Sequence, residues 1–296
     1  MAKPKAYVIS GLGIGCHEEV AHAYTKAGAD AEIIHIKQIL NGQKKLSEVD
    51  ILNLAGGFLH GDMLGSGMCA ANEIEHAIIL DEDNEKRVKE KLIEFAENGK
   101  VIWGQCNGFQ LLVKTGLLPG IDNDYSKQTL TLTHNDCGNY RVAPVLHKIE
   151  MPNHFAFKGI DDTDLYLWCR HGEGKIQFHS EYGLIKKEEG EQNRKKVNEN
   201  HVLLRYADPA TKQATEEFPH NPNGSVDGIA GLANPNGNIF GQMAHPEVGI
   251  YKSRDPRFFQ WKDEWRRQGI KAADIDEKRL EDTCLQIFKN IIEYVR

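Results

Sequence analysis

The sequence predicts an α/β fold, a mostly parallel mixed sheet flanked by helices, on three observations. The chain opens with a strand, a glycine turn, a helix and a second strand, the βαβ order that brings parallel strands together. Apolar runs and helical periodicity then keep alternating as far as about residue 110. The middle of the chain is richer in β-patterned runs, which adds strands that no helical crossover makes parallel to the first set.

Residues 5–10 read as a short buried strand, the turn Gly11-Leu12-Gly13-Ile14-Gly15 follows, 18–28 carry helical periodicity, and 31–36 form the second strand. Residues 49–54 form a strand ending in Gly56-Gly57, a charged helix is expected over about 83–98, and 100–103 form a strand that passes into a helix from about Asn107. Further strands are expected at 129–133, 140–148, 164–168, 175–179, 202–206 and 229–232, with 239–243 as the last. Residues 186–200 are nearly all charged or amide side chains and read as a solvated loop. The segment 251–268 mixes Phe258, Phe259, Trp261 and Trp265 with Arg and Lys. It reads as an amphipathic cap packed on the core, with a partner-docking surface as the alternative. A terminal helix over about 277–294 spaces Leu280, Cys284, Ile287, Phe288 and Ile291 to pack on the sheet. No internal repeat is found.

A chain of 296 residues can bury a substantial core, and the expectation is one large domain over 1–296. The net charge of -7, with acids interleaved through every Lys/Arg run, excludes the basic stripe that phosphate binding requires and points to a small solute or a protein as partner. Met-Ala-Lys-Pro-Lys passes straight into the first strand, too short for a signal peptide, and no apolar run approaches a membrane span, so a cytoplasmic location is expected. Six cysteines without a C-x-x-C pair suggest neither a disulfide framework nor a zinc knuckle, and fit a reducing compartment. His17 and His22 stand five apart rather than four, so they do not share a helix face and no metal site is read there.

The chemistry concentrates at Val101-Ile102-Trp103-Gly104-Gln105-Cys106-Asn107-Gly108-Phe109-Gln110. Glycines two residues either side of a cysteine, between a strand and a helix, match a nucleophile elbow, in which a sharp turn presents the reactive atom. A helix N-terminus there favours the thiolate, and the competing reading is a structural cysteine between two packing glycines. In Ala244-His245-Pro246-Glu247, Pro246 biases His245 toward extended backbone, so that His245 and Glu247 can point together as base and orienter. A surface histidine beside an acid in a turn is the bland alternative. The third element, Leu54-Ala55-Gly56-Gly57-Phe58, frees backbone N–H groups that, with the N–H of Asn107, could hold an oxyanion, although any turn can contain a glycine pair.

Taken in chain order, glycine pair, cysteine elbow and His-x-Glu, the three elements resemble the class I glutamine amidotransferases, a flavodoxin-like fold. More narrowly, Gly104 to Gln110, Gly57-Phe58 with Gly61-Asp62, His171-Gly172-Glu173-Gly174, Asn221-Pro222-Asn223-Gly224-Ser225 and His245-Pro246-Glu247 are similar to the glutaminase subunits of phosphoribosylformylglycinamidine synthases, over most of the chain. The resemblance implies glutamine as substrate, Cys106 as nucleophile, His245 as acid/base and Glu247 as its orienter. It also implies Gln110 as a glutamine contact, the backbone of Gly57 and Asn107 as oxyanion hole with Phe58 beside it, and a stretch at Leu132 to Gly138, including Asn135, along the bound substrate. It further implies a synthetase subunit that receives the ammonia and makes formylglycinamidine ribonucleotide in purine biosynthesis, and a small third subunit in some complexes. ATP and Mg are then expected on the synthetase and no cofactor or metal in this chain, which has no G-x-x-x-x-G-K-[ST] loop. Departures are Ala244 and Val248 where the family often has Pro and Arg, Gly15-Cys16 for an Asn-Cys pair, a charged insertion near 184–200 and a lengthened C-terminal segment 250–296. Alternatives are a catalytically silent subunit of the same fold, a glutaminase serving another synthetase, and a nucleotide-binding module. The last is disfavoured because the first turn is G-x-G-x-G rather than G-x-G-x-x-G.

Overall fold

Strands β1 (Lys5–Ser10), β2 (Asp30–His35), β3 (Ile51–Leu54), β6 (Val101–Gln105) and β13 (Ile239–Gln242) form the parallel half of a ten-stranded sheet. The fold is taken from a computed structural model, which describes residues 2–81, 84–179, 185–270 and 283–296. Helix α1 (His17–Ala27) crosses from β1 to β2 and stops at Gly28, whose φ of 107° lets its N–H turn back to the carbonyls of Tyr24 and Thr25. On the other side of β13 the sheet continues antiparallel through β12 (Ile229–Ala233), β11 (Val202–Tyr206), β8 (Arg141–Ile149), β9 (Tyr166–His171) and the two-residue β14 (Ala244–His245). Strand β8 is long enough to serve two neighbours, pairing β9 over 141–146 and β11 over 147–149. The strand expected over 239–243 is therefore not the last: the chain leaves β13 and re-enters the sheet at β14, on its far edge.

The core is centred on Trp103. Its ring stacks on Phe240 at 5.5 Å and meets Tyr24 of α1 and Phe288 of α8 (Thr283–Tyr294) edge-on, while its Nε1–H donates to Gln242 Oε1 at 2.9 Å. One buried indole thus ties the sheet to two covering helices and gives its single donor a partner. Helix α5 (Asn107–Lys114) covers the other side of β6 with every residue from Asn107 to Val113 buried, and α3 (Met68–His76) packs on α5. A further ladder, β7 (Thr131–Thr133) with β10 (Lys175–Gln177), lies outside the main sheet.

Three expectations need correction. The helix expected over 83–98 is a hairpin, β4 (Ile78–Asp81) with β5 (Asn84–Arg87), followed by the shorter α4 (Val88–Glu97). Charged residues suit both forms, and the pairing of Ile79 opposite Lys86 settles the first turn as strand. The loop expected over 186–200 is helix α6 (Lys187–Asn200). Its Lys, Glu, Gln and Arg are good helix formers, and a narrow stripe of Gly190, Asn193 and Val197 is buried. Asn193 donates to the Thr129 carbonyl at 3.0 Å, and Arg194 holds Asp227 with two bonds of 2.8 and 2.6 Å. Finally, α7 (Phe258–Arg267) packs on no core: none of its residues is buried and Phe259 is 78% exposed. Its aromatic rings contact one another and the cations of Lys252 and Arg257. The predicted terminal helix is found from Thr283 on, and Leu280 lies outside the described residues. Among the described residues no helix is long and apolar enough to cross a membrane.

Candidate active site

Strand β6 delivers Cys106 to the carboxyl edge of the parallel strands, where an open α/β sheet places its ligands. Cys106 has φ 50° and ψ -108°, outside the regions an L-residue favours, a strain of about 1–3 kcal/mol that neighbouring structure must hold. Two features hold it. Its N–H donates to the Gln242 carbonyl at 2.9 Å, and α5 approaches so closely that a Cβ on Gly104 would lie 2.6 Å from Gly108, and one on Gly108 only 1.9 Å from the Leu54 carbonyl. Any side chain at either glycine would push the helix off the strand. The thiol donates weakly to the Arg170 carbonyl at 3.6 Å.

His245 reaches the same place from β14, which pairs with β9 at Cys169 and Trp168. Its Nδ1 lies 2.6 Å from Glu247 Oε1, and both side chains are shielded from solvent. The route differs from the one expected. Glu247 belongs to a 3-10 turn, Pro246–Gly249, with Pro246 at its first position, so the pair meets across the start of a helical turn rather than along extended backbone. Gly56 closes on the Cε1–Nδ1 edge of the ring, where a Cβ would stand 2.5 Å from His245 Cε1, 3.3 Å from its Nδ1 and 3.2 Å from Cys106 Cβ.

Burial alone would depress the basicity of His245. The Glu247 carboxylate, followed by the sulfurs of Cys106 and Cys16, more than reverses this and holds it well above the usual 6.5. Burial pushes nearby His171 down to about 3 and the Cys169 thiol up to about 12, so neither competes for the proton or the electrophile at neutral pH.

The glycine pair folds onto the first turn. The Gly56 carbonyl accepts from the N–H groups of Gly15 and Cys16 at 3.2 and 3.1 Å, and the Phe58 N–H donates to Gly13 at 2.7 Å. Gly57 has φ 150°, and a Cβ there would stand 2.6 Å from both Gly13 O and Ile14 Cα. The N–H of Phe58 is thus committed, and its half-exposed ring stands 6.1 Å from that of Tyr140 as a wall of the mouth. Asn107 joins this loop to the elbow: its Oδ1 accepts from the Leu59 N–H at 3.1 Å, and its Nδ2 donates to Asp62 at 3.0 Å and to Gln110 Oε1 at 3.1 Å. Gln110 is buried and donates to the Glu173 carbonyl. Asn135 is buried with its amide fully engaged, Nδ2 to the carbonyls of Asn139 and His171 at 3.0 and 2.8 Å and Oδ1 from the Gly174 N–H at 3.1 Å. That arrangement fixes the segment after β7 against the turn after β9.

Sequence reasoning passed over Cys16, which the first turn folds against His245, and the carboxylates of Asp62 and Glu173. Glu173 Oε2 accepts from the Ser66 N–H at 3.0 Å, and Asp62 accepts from the Ser66 hydroxyl at 2.6 Å, so the two acids brace the loop below the glycine pair. Both fall inside motifs quoted above, Gly61-Asp62 and Gly172-Glu173, and the departure at Gly15-Cys16 was the available signal for the thiol.

Residues 3–295 match the CobB/CobQ-like glutamine amidotransferase domain. The phosphoribosylformylglycinamidine synthase subunit PurQ of Methanococcus maripaludis is 36% identical over 293 residues, 98% of this chain and 97% of that one. The PurQ subunit of Dehalococcoides mccartyi is 33% identical over 297 residues, 100% and 99% of the two chains. A chain of the PurLQS structure from Thermotoga maritima shares the fold with a TM-score of 0.64 at 23% identity, over 100% of both chains. With its length matched from end to end, the chain belongs to the CobB/CobQ-like glutamine amidotransferases and, among them, to the phosphoribosylformylglycinamidine synthase subunit PurQ family.

Proposed function

We propose that the chain hydrolyses glutamine to glutamate and ammonia through Cys106, His245 and Glu247, and passes the ammonia to a synthetase that makes formylglycinamidine ribonucleotide. The observation that carries this reading is the strained Cys106 elbow standing beside a buried His245–Glu247 pair of 2.6 Å. In the first half-reaction the Cys106 thiol gives its proton to His245 and the sulfur adds to the carboxamide carbon. The oxyanion so formed is held by the backbone N–H groups of Gly57 and Asn107. His245 then returns the proton to the departing nitrogen, ammonia leaves, and a γ-glutamyl thioester remains. In the second half-reaction water gives a proton to His245 as it attacks the thioester, and glutamate departs with the thiol restored. Glu247 holds the imidazole at Nδ1 and offsets its charge while it carries the extra proton. Gln110 and Asn107 keep the substrate side of the elbow in register, and Asn135 and Phe58 supply the walls.

The partners follow from the relatives. The Thermotoga assembly is named for PurL, PurQ and PurS together, which supports a complex of this chain with a synthetase and a small third subunit. ATP and Mg belong on the synthetase in this reading, and the complex works in the cytoplasm. Cys106→Ala in the reconstituted complex should abolish glutamine-dependent synthesis and leave ammonia-dependent synthesis near wild type. Glutamine-dependent turnover surviving in that variant would end the assignment of Cys106.

A further inference from the structure

The loop after β3 is strained where it passes the elbow. His60, Gly61 and Asp62 stand in succession at φ 58°, 69° and 52°, a left-handed run in which only the glycine is free of strain. Such backbone persists where surrounding contacts over-determine it, and it gathers at functional sites. Both side chains of the run are pinned. His60 Nε2 lies 2.8 Å from Glu73 on α3, and the half-buried Asp62 belongs to a closed circuit of hydrogen bonds through three separate segments. Asn107 Nδ2 donates to Asp62 Oδ1 at 3.0 Å, and the Ser66 hydroxyl donates to Asp62 Oδ2 at 2.6 Å. The Ser66 N–H donates to Glu173 Oε2 at 3.0 Å, and Gln110 Nε2 donates to the Glu173 carbonyl. Gln110 Oε1 closes the circuit by accepting from Asn107 Nδ2 at 3.1 Å. The other end of the Asn107 amide accepts from the Leu59 N–H at 3.1 Å, so this one side chain grips the loop two and five residues beyond Gly57.

We propose that Asp62 is a positioning residue for the oxyanion step: through Asn107 and Ser66 it fixes the spacing between the backbone N–H groups of Gly57 and Asn107. This role rests on the glutaminase reading above and deepens it. An oxyanion is caught only when its donors are aimed in advance at one spot, and Gly57 and Asn107 lie on separate segments that only the circuit and the Leu59 bond draw together at this point. The Cys106 elbow does not need the circuit. The Gln242 carbonyl and the close approach of Gly104 to Gly108 hold it from the sheet. Removing the Asp62 side chain therefore frees the loop while the nucleophile stays in place, and the loss falls on turnover and not on the reactivity of the thiol. Asparagine can serve in its place, since its Oδ1 accepts from Asn107, its Nδ2 donates to the Ser66 hydroxyl, and it tolerates a left-handed φ.

The test compares Asp62→Gly, Asp62→Ala and Asp62→Asn in the full-length chain assembled with its synthetase. Asp62→Gly removes the side chain and relieves the backbone, so a defect it shares with Asp62→Ala belongs to the carboxylate and not to strain. Steady-state glutamate release gives kcat and KM. Alkylation of Cys106 by iodoacetamide, followed by mass spectrometry of its peptide, reports the thiol in a displacement at a tetrahedral carbon, which forms no oxyanion. Asp62→Gly and Asp62→Ala should each lower kcat by ~10²-fold, as loss of one oxyanion donor does, with KM and the alkylation rate near wild type. Asp62→Asn should recover most of the lost kcat. Wild-type kcat in Asp62→Gly would overturn the proposal. So would a fall in kcat matched by an equal fall in alkylation, which would place the defect in the elbow, or Asp62→Asn as slow as Asp62→Gly, which would assign the effect to charge and not to the bonds with Asn107 and Ser66. A wild-type complex that releases no glutamate would instead sink the glutaminase reading, a different failure and one visible before any variant is compared.

Discussion

Gly56→Ala is the smallest change that separates base from nucleophile without touching either. Gly56 has no positive φ, so alanine suits its backbone and the whole effect comes from one methyl group. That methyl would lie 2.5 Å from His245 Cε1, where ordinary contact begins at 3.4 Å, so the imidazole or the loop must give way by roughly 0.9 Å. The ring is not free to swing aside, because Nδ1, itself 3.3 Å from that methyl, is held by Glu247 at 2.6 Å, and Cys106 Cβ would sit 3.2 Å from the same methyl. Overpacking of this kind costs about 1–3 kcal/mol in stability. A displacement near 1 Å between reacting groups costs on the order of 10²-fold in rate, close to 2.7 kcal/mol of barrier. Steady-state glutamate release by the complex, with urea unfolding of the free chain as control, separates the two effects. The expected result is a fall in kcat of about 10²-fold with a cooperative unfolding transition retained. A variant within threefold of wild type would show that His245 is not held by this contact and that the geometry given for the triad is wrong.

Glu247→Gln keeps an acceptor for Nδ1 but removes the charge, so burial then sets the basicity of His245, and the acid limb of glutamine turnover, below which His245 already holds a proton and cannot take that of Cys106, should move to lower pH; an unchanged pH profile would refute the pairing. Because the folded-state value is raised, wild type carries a stability increment that is full below pH 6.5 and fades as pH rises through the raised value, and urea midpoints of the Gln variant should lack it. His245→Ala should be worse still, by ~10²–10⁴-fold in kcat. Asn135→Ala leaves the Gly174 N–H and the His171 carbonyl without their partner, each worth about 1–3 kcal/mol, and loss of less than about 0.5 kcal/mol by urea unfolding would show that the segment after β7 is not held this way. Glutamate release by the isolated chain should rise by orders of magnitude on adding synthetase, ATP and formylglycinamide ribonucleotide, and equal rates with and without them would point to a free-standing hydrolase.

The parts of the site legible in the sequence were those written in short range. Gly104-x-Cys106-x-Gly108 announces itself because a strand-to-helix turn that tight admits no Cβ beside the nucleophile, and His245-Pro246-Glu247 because a proline restrains the residue before it. The parallel half of the sheet was legible for the same reason, each βα unit carrying its own period. What the sequence concealed depends on distant partners. Apart from the departure at Gly15-Cys16, nothing local marks Cys16 as a neighbour of His245, since the first turn and β14 are far apart in the chain and meet only in the fold. Residues 187–200 look like a solvated run until Thr129 and Asp227 appear as partners for Asn193 and Arg194. The aromatic residues of α7 misled in the opposite sense, because hydrophobicity alone does not reveal that their rings meet one another and the cations of Lys252 and Arg257 and stay out of the core.

The bond from the Cys106 N–H to the Gln242 carbonyl has a mechanical meaning. Gln105 and Gln242 are register partners on adjacent parallel strands, the nucleophile is the next residue on one, and the base lies three residues on along the other. The sulfur therefore hangs from a rung in the middle of the sheet, while the imidazole stands on β14 at the far edge, joined to that rung by the three-residue step from Gln242. The oxyanion donors are mounted differently. Of the two proposed, Asn107 belongs to the elbow itself, and Gly57 rides on the loop after β3, which is stitched to the first turn at Gly13, Gly15 and Cys16, beside Leu12 at 75% exposure. A partner pressing on that outer turn would move the Gly57 donor and, through Cys16, the surroundings of His245, while the Cys106 N–H stays tied to the middle of the sheet, so docking on the proposed glutaminase would act on capture of the tetrahedral adduct before it reached the sulfur.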